Sequence, residues 1–217
     1  MDDAGRGAVL GPLVIAGVLF RAEDLPKLDE LGVRDSKLLS PGRRERLAQA
    51  VQRVALRVEV KVIPPGEIDR VVLYGRRLRR LNWLEARKMA EVIEALKPDL
   101  AYVDASDVLA ERFGRQIEEH LPFKVRIISE HGADRRYPIV SAASILAKVE
   151  RDRIISRLRE RYGDLGSGYP SDPRTMNFLR EWIARHGSYP DFVRKSWEPA
   201  KKLREEVRFR QRRLPEP

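Results

Sequence analysis

Residues 1–20, MDDAGRGAVLGPLVIAGVLF, carry the two features from which the interpretation of this chain starts. The stretch from Val9 to Phe20 is apolar and is interrupted only at Gly11-Pro12 and Gly17, which predicts one or two buried strands with a bend. Two adjacent acids, Asp2 and Asp3, stand just before it, followed by a Gly-Arg-Gly turn at 5–7. The sequence therefore places like charges next to a buried strand.

Downstream of this stretch, strand and helix patterns alternate. The segment LSPGRRERLAQAVQRVA predicts a helix, because Ser40 suits the N-cap and Pro41 suits the first helical position. The next predicted helix has one apolar face, made of Ala86, Met89, Ala90, Ile93 and Leu96. Strands are predicted at 56–63, 99–106 and 124–129. Further helices are predicted at 77–97, after the second of these strands up to about residue 120, and from near Pro138 or Ser141 to about Tyr162. This alternation predicts an α/β layer structure.

After Gly163 the strand pattern disappears. The loop GDLGSGYPSDP leads to Asp172-Pro173, which predicts the start of another helix. Residues 201–213 then carry seven Lys and Arg residues against Glu205 and Glu206, which is typical either of a solvated tail or of a nucleic-acid-binding arm. We therefore expect a catalytic domain at residues 1–163 and a helical C-terminal extension with a basic tail at 164–217.

The composition favours a polyanionic partner. The 217 residues carry a formal net charge of +10, which attracts nucleic acid, although a merely soluble basic protein has the same balance. Charged residues make up 35%, as in nucleic-acid binders or in heat-adapted proteins with surface ion pairs. The absence of cysteine excludes disulfides and thiolate metal sites. There is no apolar run of bilayer length and no signal pattern, so we expect a cytoplasmic protein without a membrane span.

Two further aspartates stand near the ends of predicted elements. The end of the strand predicted at 99–106 carries Asp104, and Asp134 comes shortly before the long helix. Strand ends and their adjoining loops converge in an α/β sheet, so these carboxylates are expected to meet Asp2 and Asp3 there. Gathered carboxylates repel one another and need a cation, and hard oxygen ligands suit Mg²⁺ or Mn²⁺. Two such ions would activate a water and stabilise the leaving oxygen of a phosphodiester.

Each acid also has a purely structural explanation. Asp2 and Asp3 fit a disordered terminus. Asp104 fits the N-cap of the helix that follows it, a role for which Asp107 competes. Asp134 fits an ion pair with one of the arginines beside it. The pattern of acids alone leaves both interpretations open.

Five blocks of sequence resemble motifs of one known family, type 2 ribonuclease H (ribonuclease HII). They are DDAGRGAVLGPLVIAG, VRDSKLLSPGRRERL, YVDA, ADRRYPIVSAASILAKVERD and GSGYPSDPRT. The blocks occur in the family's order across positions 2 to 175, and the last is similar to the archaeal form of the family's tyrosine loop. One block alone would be weak, but five in order are specific. The chain therefore resembles an archaeal-type ribonuclease HII.

This resemblance implies a fold and an activity. The fold is ribonuclease H-like, with a central mixed five-stranded sheet flanked by helices and a helical C-terminal extension. The activity is hydrolysis of the RNA strand of RNA–DNA hybrids and incision at ribonucleotides in duplex DNA. A two-metal-ion mechanism would leave 5′-phosphate and 3′-hydroxyl ends, and the family expectation is a monomer. The alternative is a catalytically impaired relative that still binds nucleic acid.

The resemblance also assigns residues. Asp2, Asp3, Asp104 and Asp134 match the family's four acids, which implies that they are the catalytic metal ligands for Mg²⁺ or Mn²⁺. Gly5, Arg6 and Gly7 match the turn that grips the backbone at the ribonucleotide, where glycines let main-chain N–H groups come close. Tyr169 matches the tyrosine that stacks on the sugar and senses its 2′-hydroxyl. The other matched substrate-binding positions are Asp35, Ser36, Lys37 and Lys148.

Two positions depart from the family pattern. Asp3 stands where the family usually has Glu, which shortens the reach of the carboxylate by roughly 1.5 Å. We therefore expect an activity that is retained but sensitive to the metal. Met1 stands immediately before Asp2, where the family has several apolar residues, and without such a strand we expect a reduced metal affinity.

Overall fold

The computed structural model describes residues 1–33, 40–75 and 80–213. Over these residues the strands are β1 (Asp2–Ala4), β2 (Leu13–Leu19), β3 (Arg57–Ile63), β4 (Leu100–Asp104) and β5 (Arg126–Glu130). The helices are α1 (Pro26–Glu30), α2 (Pro41–Val54), α3 (Pro65–Tyr74), α4 (Arg80–Leu96), α5 (Ala110–Glu118), α6 (Ala133–Arg136), α7 (Pro138–Tyr162), α8 (Pro173–His186) and α9 (Glu198–Arg213). The α/β alternation predicted from the sequence is confirmed.

Local signals explain where the helices begin. At α2, the Ser40 hydroxyl accepts a hydrogen bond from Arg43 N–H (3.4 Å), and Pro41 occupies the first turn, as predicted. At α8, the Asp172 carboxylate accepts from Arg174 N–H (3.0 Å). The sequence prediction missed β1, which has three residues, and α3, which begins at the Pro-Pro-Gly that was interpreted only as the end of β3.

The strands form two hydrogen-bonded ladders. One ladder has the order β1-β2-β3, with β1 antiparallel to β2 and Asp2 opposite Ala16. The other pairs β4 with β5 in parallel, with Leu100 opposite Arg126. Over the described residues the predicted single five-stranded sheet is therefore not observed as one ladder.

Met1 explains this difference, because it is where the two ladders meet. Its ammonium group donates to Tyr102 O (2.6 Å), and Asp104 N–H donates to Met1 O (3.1 Å). This is the bonding pattern of a parallel pair between Met1 and Val103. A contact of one residue is too short to count as a strand pair, although it places β1 alongside β4.

The contacts divide the chain into two compact units. The first unit comprises Met1–Ala4, Val14–Val62 and Arg76–Glu150, and the second comprises Gly5–Leu13, Ile63–Gly75 and Arg151–Pro217. These two units are defined by contacts between residues and are not separate domains along the sequence. They therefore do not test the predicted domain boundary at residue 163, which stays a prediction.

Each unit has its own buried apolar residues. In the first unit, Val14, Ile15 and Ala16 of β2 are fully buried, and the five residues of the predicted apolar face of α4 are at most 5% exposed. In the second unit, one cluster includes Leu10, Ile155, Leu165, Leu179 and Val193, with further members on α9. Among the described helices, none has the length and apolar character needed to cross a membrane.

Candidate active site

The four sequence-predicted acids of the first unit are called here the acidic cluster: Asp2 and Asp3 in β1, Asp104 at the end of β4, and Asp134 in α6. Hydrogen bonds connect the three elements. Asp104 N–H donates to Met1 O (3.1 Å), and the N–H of Ala133 donates to Asp104 Oδ1 (2.9 Å). The structure therefore brings together the segments on which these acids stand, although they are far apart in the sequence.

Asp2, like Asp134, is a buried member of the acidic cluster, and it lies next to two other negative charges. It is 6% exposed, so the interpretation as a disordered terminus is wrong. Burial raises the pKa of Asp2 to about 7, and the negative charges of Asp3 and Asp104 add to the rise, while a hydrogen bond with Ser144 opposes it. A carboxyl with this pKa is about half protonated at pH 7, and a positive charge beside it would favour the ionised form.

The N-terminal ammonium group lies in the same environment. Burial lowers the pKa of the Met1 amine to about 6, although the carboxylates of Asp2 and Asp104 partly offset this effect. A group with that pKa is mostly neutral at pH 7, so it supplies little of the charge that the acidic cluster lacks. The electrostatics of the cluster thus favour an additional cation.

Asp104 and Asp107 have separate roles. Asp107, which is 2% exposed, holds the start of α5: it accepts from Leu109 N–H (3.1 Å) and Asn82 Nδ2 (2.9 Å), and it pairs with Arg112. Asp104 instead accepts from the N–H of Ala133 at the start of α6. The N-cap of α5 is Leu109, which has no side-chain cap, so neither Asp104 nor Asp107 caps this helix; Asp107 instead accepts from Leu109 N–H just before the helix.

Hydroxyl groups and one lysine surround the carboxylates. Ser106 Oγ donates to Asp3 Oδ1 (3.2 Å), and Ser144 bonds to Asp2. Lys148, predicted as a substrate contact, donates from Nζ to Ser144 Oγ (2.7 Å). The ammonium group of Lys148 therefore lies one hydroxyl away from Asp2.

The donor set of this region suits a divalent cation. It consists of carboxylate and hydroxyl oxygens, which are the ligands that Mg²⁺ and Mn²⁺ prefer. The raised pKa of the buried Asp2 is an independent sign that the region needs positive charge. Over the described residues, however, no three Asp, Glu or His side chains are gathered closely enough to form a metal site as they stand.

The Gly-Arg-Gly turn belongs to the second unit and has an unusual backbone. Gly5 has φ +85°, and a Cβ there would lie 2.7 Å from Pro12 O and would also collide with Arg151. At Gly7, by contrast, an added Cβ would meet no atom within 4 Å. Gly5 is therefore required by the fold, whereas the fold leaves space at Gly7.

A buried arginine holds this turn. Arg194 is fully buried, and its guanidinium donates to Gly5 O (2.6 Å), Arg6 O (2.7 Å) and Gly11 O (3.2 Å). Its planar fork of N–H donors suits several carbonyl acceptors at fixed angles. The carbonyl groups of the turn are therefore directed towards Arg194.

The loop that carries Tyr169 is bonded to the segment after the turn. Gly168 O accepts from Val9 N–H (2.8 Å) and Leu10 N–H (3.0 Å), and Gly168 N–H donates to Thr175 Oγ1 (2.9 Å). The guanidinium of Arg151 lies 4.7 Å from the ring centre of Tyr169. The structure thus brings the turn and the tyrosine loop together within the second unit.

Arg151 and Arg194 were missed as candidate residues by sequence reasoning. Arg194 stands in FVRKSW directly before Lys195, so its charge did not distinguish it from an exposed basic residue. Arg151 stands inside a family-like block, but nothing in its neighbours marks it as buried. Three predicted substrate contacts, Asp35, Ser36 and Lys37, lie outside the described residues.

A comparison with protein families agrees with this geometry. A family model described as Ribonuclease HII matches residues 1–200. A ribonuclease HII from Thermococcus kodakarensis is 47% identical over 209 residues, covering 95% of this chain and 89% of the relative. A second, from Pyrococcus furiosus, is 44% identical over 216 residues, covering 99% and 94%.

Solved structures of ribonucleases H are also similar to this chain. The crystal structure of the ribonuclease H2 from Pyrococcus horikoshii has a TM-score of 0.88 at 43% identity and covers 95% of this chain and 96% of that one. The Archaeoglobus fulgidus enzyme, solved as a complex of PCNA and RNase HII, has a TM-score of 0.84 at 47% identity, with 94% of each chain covered. A Bst-RNase HIII bound to Mn²⁺ shares the fold, with a TM-score of 0.79 at 20% identity.

Proposed function

The chain belongs to the ribonuclease HII family and is a metal-dependent endoribonuclease of the ribonuclease H type, and we propose that its acidic cluster is the catalytic centre. The observation that carries this assignment is the junction at Met1, which places the start of β1 beside the end of β4. Through it the buried Asp2 meets the charge of Asp104, an acid about a hundred residues away in sequence.

The proposed substrates are RNA–DNA hybrids and DNA duplexes that contain ribonucleotides. Mg²⁺ or Mn²⁺ bound by the acidic cluster would supply an activated water and would stabilise the leaving oxygen. The four acids of the cluster would hold the cation, and the Ser144 and Ser106 hydroxyls would orient Asp2 and Asp3. The products would then carry 5′-phosphate and 3′-hydroxyl ends.

Recognition of the ribonucleotide is assigned to the second unit. Because Arg194 donates to the carbonyl oxygens of Gly5 and Arg6, the N–H groups of Arg6 and Gly7 are directed away from the guanidinium, and we assign them to the sugar-phosphate backbone. Tyr169, supported by Arg151, presents an aromatic ring to the sugar that carries the 2′-hydroxyl. In the first unit, Lys148 would neutralise a phosphate charge.

The test is a labelled DNA duplex with a single ribonucleotide, incubated with Mg²⁺, with Mn²⁺ or with a chelator. We expect one incision at the ribonucleotide, with a 3′-hydroxyl end, in the presence of either metal and none with the chelator. The matched control is Asp104→Asn, which keeps the shape and removes the charge. Binding without incision by the unaltered protein in both metals would support the impaired relative instead, an alternative that the family comparison does not favour.

We also propose that the protein acts as a cytoplasmic monomer. Sedimentation of the purified chain measures the assembly state directly. A mass of about 25.0 kDa is expected, and a dimer mass would contradict it.

A further inference from the structure

A buried carboxylate on α3 lies far in sequence from every predicted site residue. Asp69 is 9% exposed and accepts three hydrogen bonds: from Lys195 N–H (2.9 Å), from Ser196 N–H (2.9 Å) and from Ser196 Oγ (2.5 Å). Both carboxylate oxygens are used, each by a main-chain N–H group. Asp69 therefore fixes the backbone at 195 and 196 within the second unit.

That backbone directly follows Arg194, and further bonds fix Arg194 from its other side. Arg194 N–H donates to Val9 O (2.9 Å), and Trp197 N–H donates to Arg194 O (3.1 Å). The indole ring of Trp197 lies 4.9 Å from the guanidinium carbon. The direction of the Arg194 side chain is thus set by bonds on both sides of its Cα.

The guanidinium in turn sets the peptide planes of the Gly-Arg-Gly turn. It donates to the carbonyl oxygens of Gly5 (2.6 Å) and Arg6 (2.7 Å). In a trans peptide the carbonyl and the next N–H point in opposite directions, so these bonds orient the N–H groups of Arg6 and Gly7. A small rotation of the guanidinium would turn both N–H groups.

We propose that Asp69 is a positioning residue for the Gly-Arg-Gly turn and acts through Arg194. The proposal rests on the proposed role of the turn in binding the substrate backbone. Asp69 itself touches no substrate; it keeps the 194–196 segment in the one position from which Arg194 reaches both carbonyl groups of the turn. Substrate binding thus depends on α3.

The test variant is Asp69→Asn, which keeps the size of the side chain but replaces one accepting oxygen with an N–H₂ group. That group cannot accept from Lys195 N–H, and it places two donors against each other. The matched control is Ile68→Val on the same helix, where a fully buried side chain loses one methylene-sized group without a polar change. Thermal unfolding of both variants measures how much general stability each one loses.

Two readouts separate positioning from simple destabilisation. We expect Asp69→Asn to raise KM for a single-ribonucleotide duplex about tenfold, with a much smaller change in kcat, because a misplaced binding group weakens ground-state and transition-state contacts together. Without any substrate, hydrogen exchange in a peptide covering residues 1–12 should accelerate in Asp69→Asn and stay unchanged in Ile68→Val. Mn²⁺ affinity should be unchanged in both.

The proposal is overturned if Asp69→Asn leaves KM and the exchange of residues 1–12 unchanged, or if Ile68→Val alters both to the same extent. Ser196→Ala, which removes only the hydroxyl bond to Asp69, is expected to show a smaller effect in the same direction. Failure of the proposed function would look different, because the unaltered protein would not cut the duplex. The exchange measurement would still decide the role of Asp69 in that case.

Discussion

At Asp2, a single carboxyl group connects metal binding to pH. Its pKa is raised to about 7 in the metal-free protein by burial and by the charges of Asp3 and Asp104. A cation must therefore displace a proton from Asp2 below that pH. In the folded, metal-free protein the raised pKa also means that stability decreases as pH rises from the acid range through about 7.

The first prediction follows from this linkage. Mn²⁺ affinity should fall by about tenfold for each pH unit below 7 and should level off above about pH 8, because one proton competes with the ion. Calorimetry in two buffers of different ionisation enthalpy measures the released proton. Asp2→Asn should remove the proton release near neutral pH. An affinity that does not vary between about pH 6 and pH 8 would rule out the linkage.

Asp3 supports a second prediction at the residue scale. It stands where the family usually has Glu, and its Oδ1 is held by Ser106 Oγ at 3.2 Å. Asp3→Glu lengthens the side chain by roughly 1.5 Å, so we expect the ratio of the Mg²⁺ rate to the Mn²⁺ rate to change by about tenfold, since catalysis depends on sub-ångström placement. Rates measured with each metal on one substrate check this. Identical rates and metal preference would contradict it.

At the scale of elements, the Gly-Arg-Gly turn offers a pair of matched substitutions. Gly5→Ala should lower the free energy of unfolding by about 1–3 kcal/mol, because alanine is strained at positive φ and its Cβ would meet Pro12 O and Arg151. Gly7→Ala has open space and should leave stability unchanged while raising KM for the ribonucleotide duplex. Denaturant unfolding and steady-state kinetics test both. A stable Gly5→Ala variant would contradict the description of the turn.

The elements show what the sequence could and could not predict. The strand and helix alternation and the buried face of α4 follow from apolar periodicity, which a single sequence displays. The positions of the acids could be predicted because strand ends and motif blocks mark them. The support by Ser106, Asp69, Arg151 and Arg194 could not be predicted, because each of these residues acts through contacts with segments distant in sequence. The two ladders are joined only through the backbone hydrogen bonds of Met1 among the described residues, and no sequence pattern predicts those bonds.

At the scale of the whole molecule, the net charge of +10 governs encounter with a polyanion. Raising monovalent salt from about 50 mM to about 200 mM should raise KM for an RNA–DNA hybrid by on the order of tenfold, since each phosphate contact releases counterions. The kcat should change much less. Initial rates across a salt series provide the measurement. A KM that does not depend on salt would show that the charge of the protein has no part in substrate binding.

The most direct test of the central claim is to measure, by titration calorimetry at about pH 8, the affinity of the unaltered protein and of two variants for Mn²⁺. Asp104→Asn removes one charge of the acidic cluster, whereas Asp99→Asn removes an exposed charge next to the same strand. The account predicts binding at least about tenfold weaker for Asp104→Asn and unchanged binding for Asp99→Asn. If Asp104→Asn binds Mn²⁺ as tightly as the unaltered protein, the acidic cluster is not the metal site.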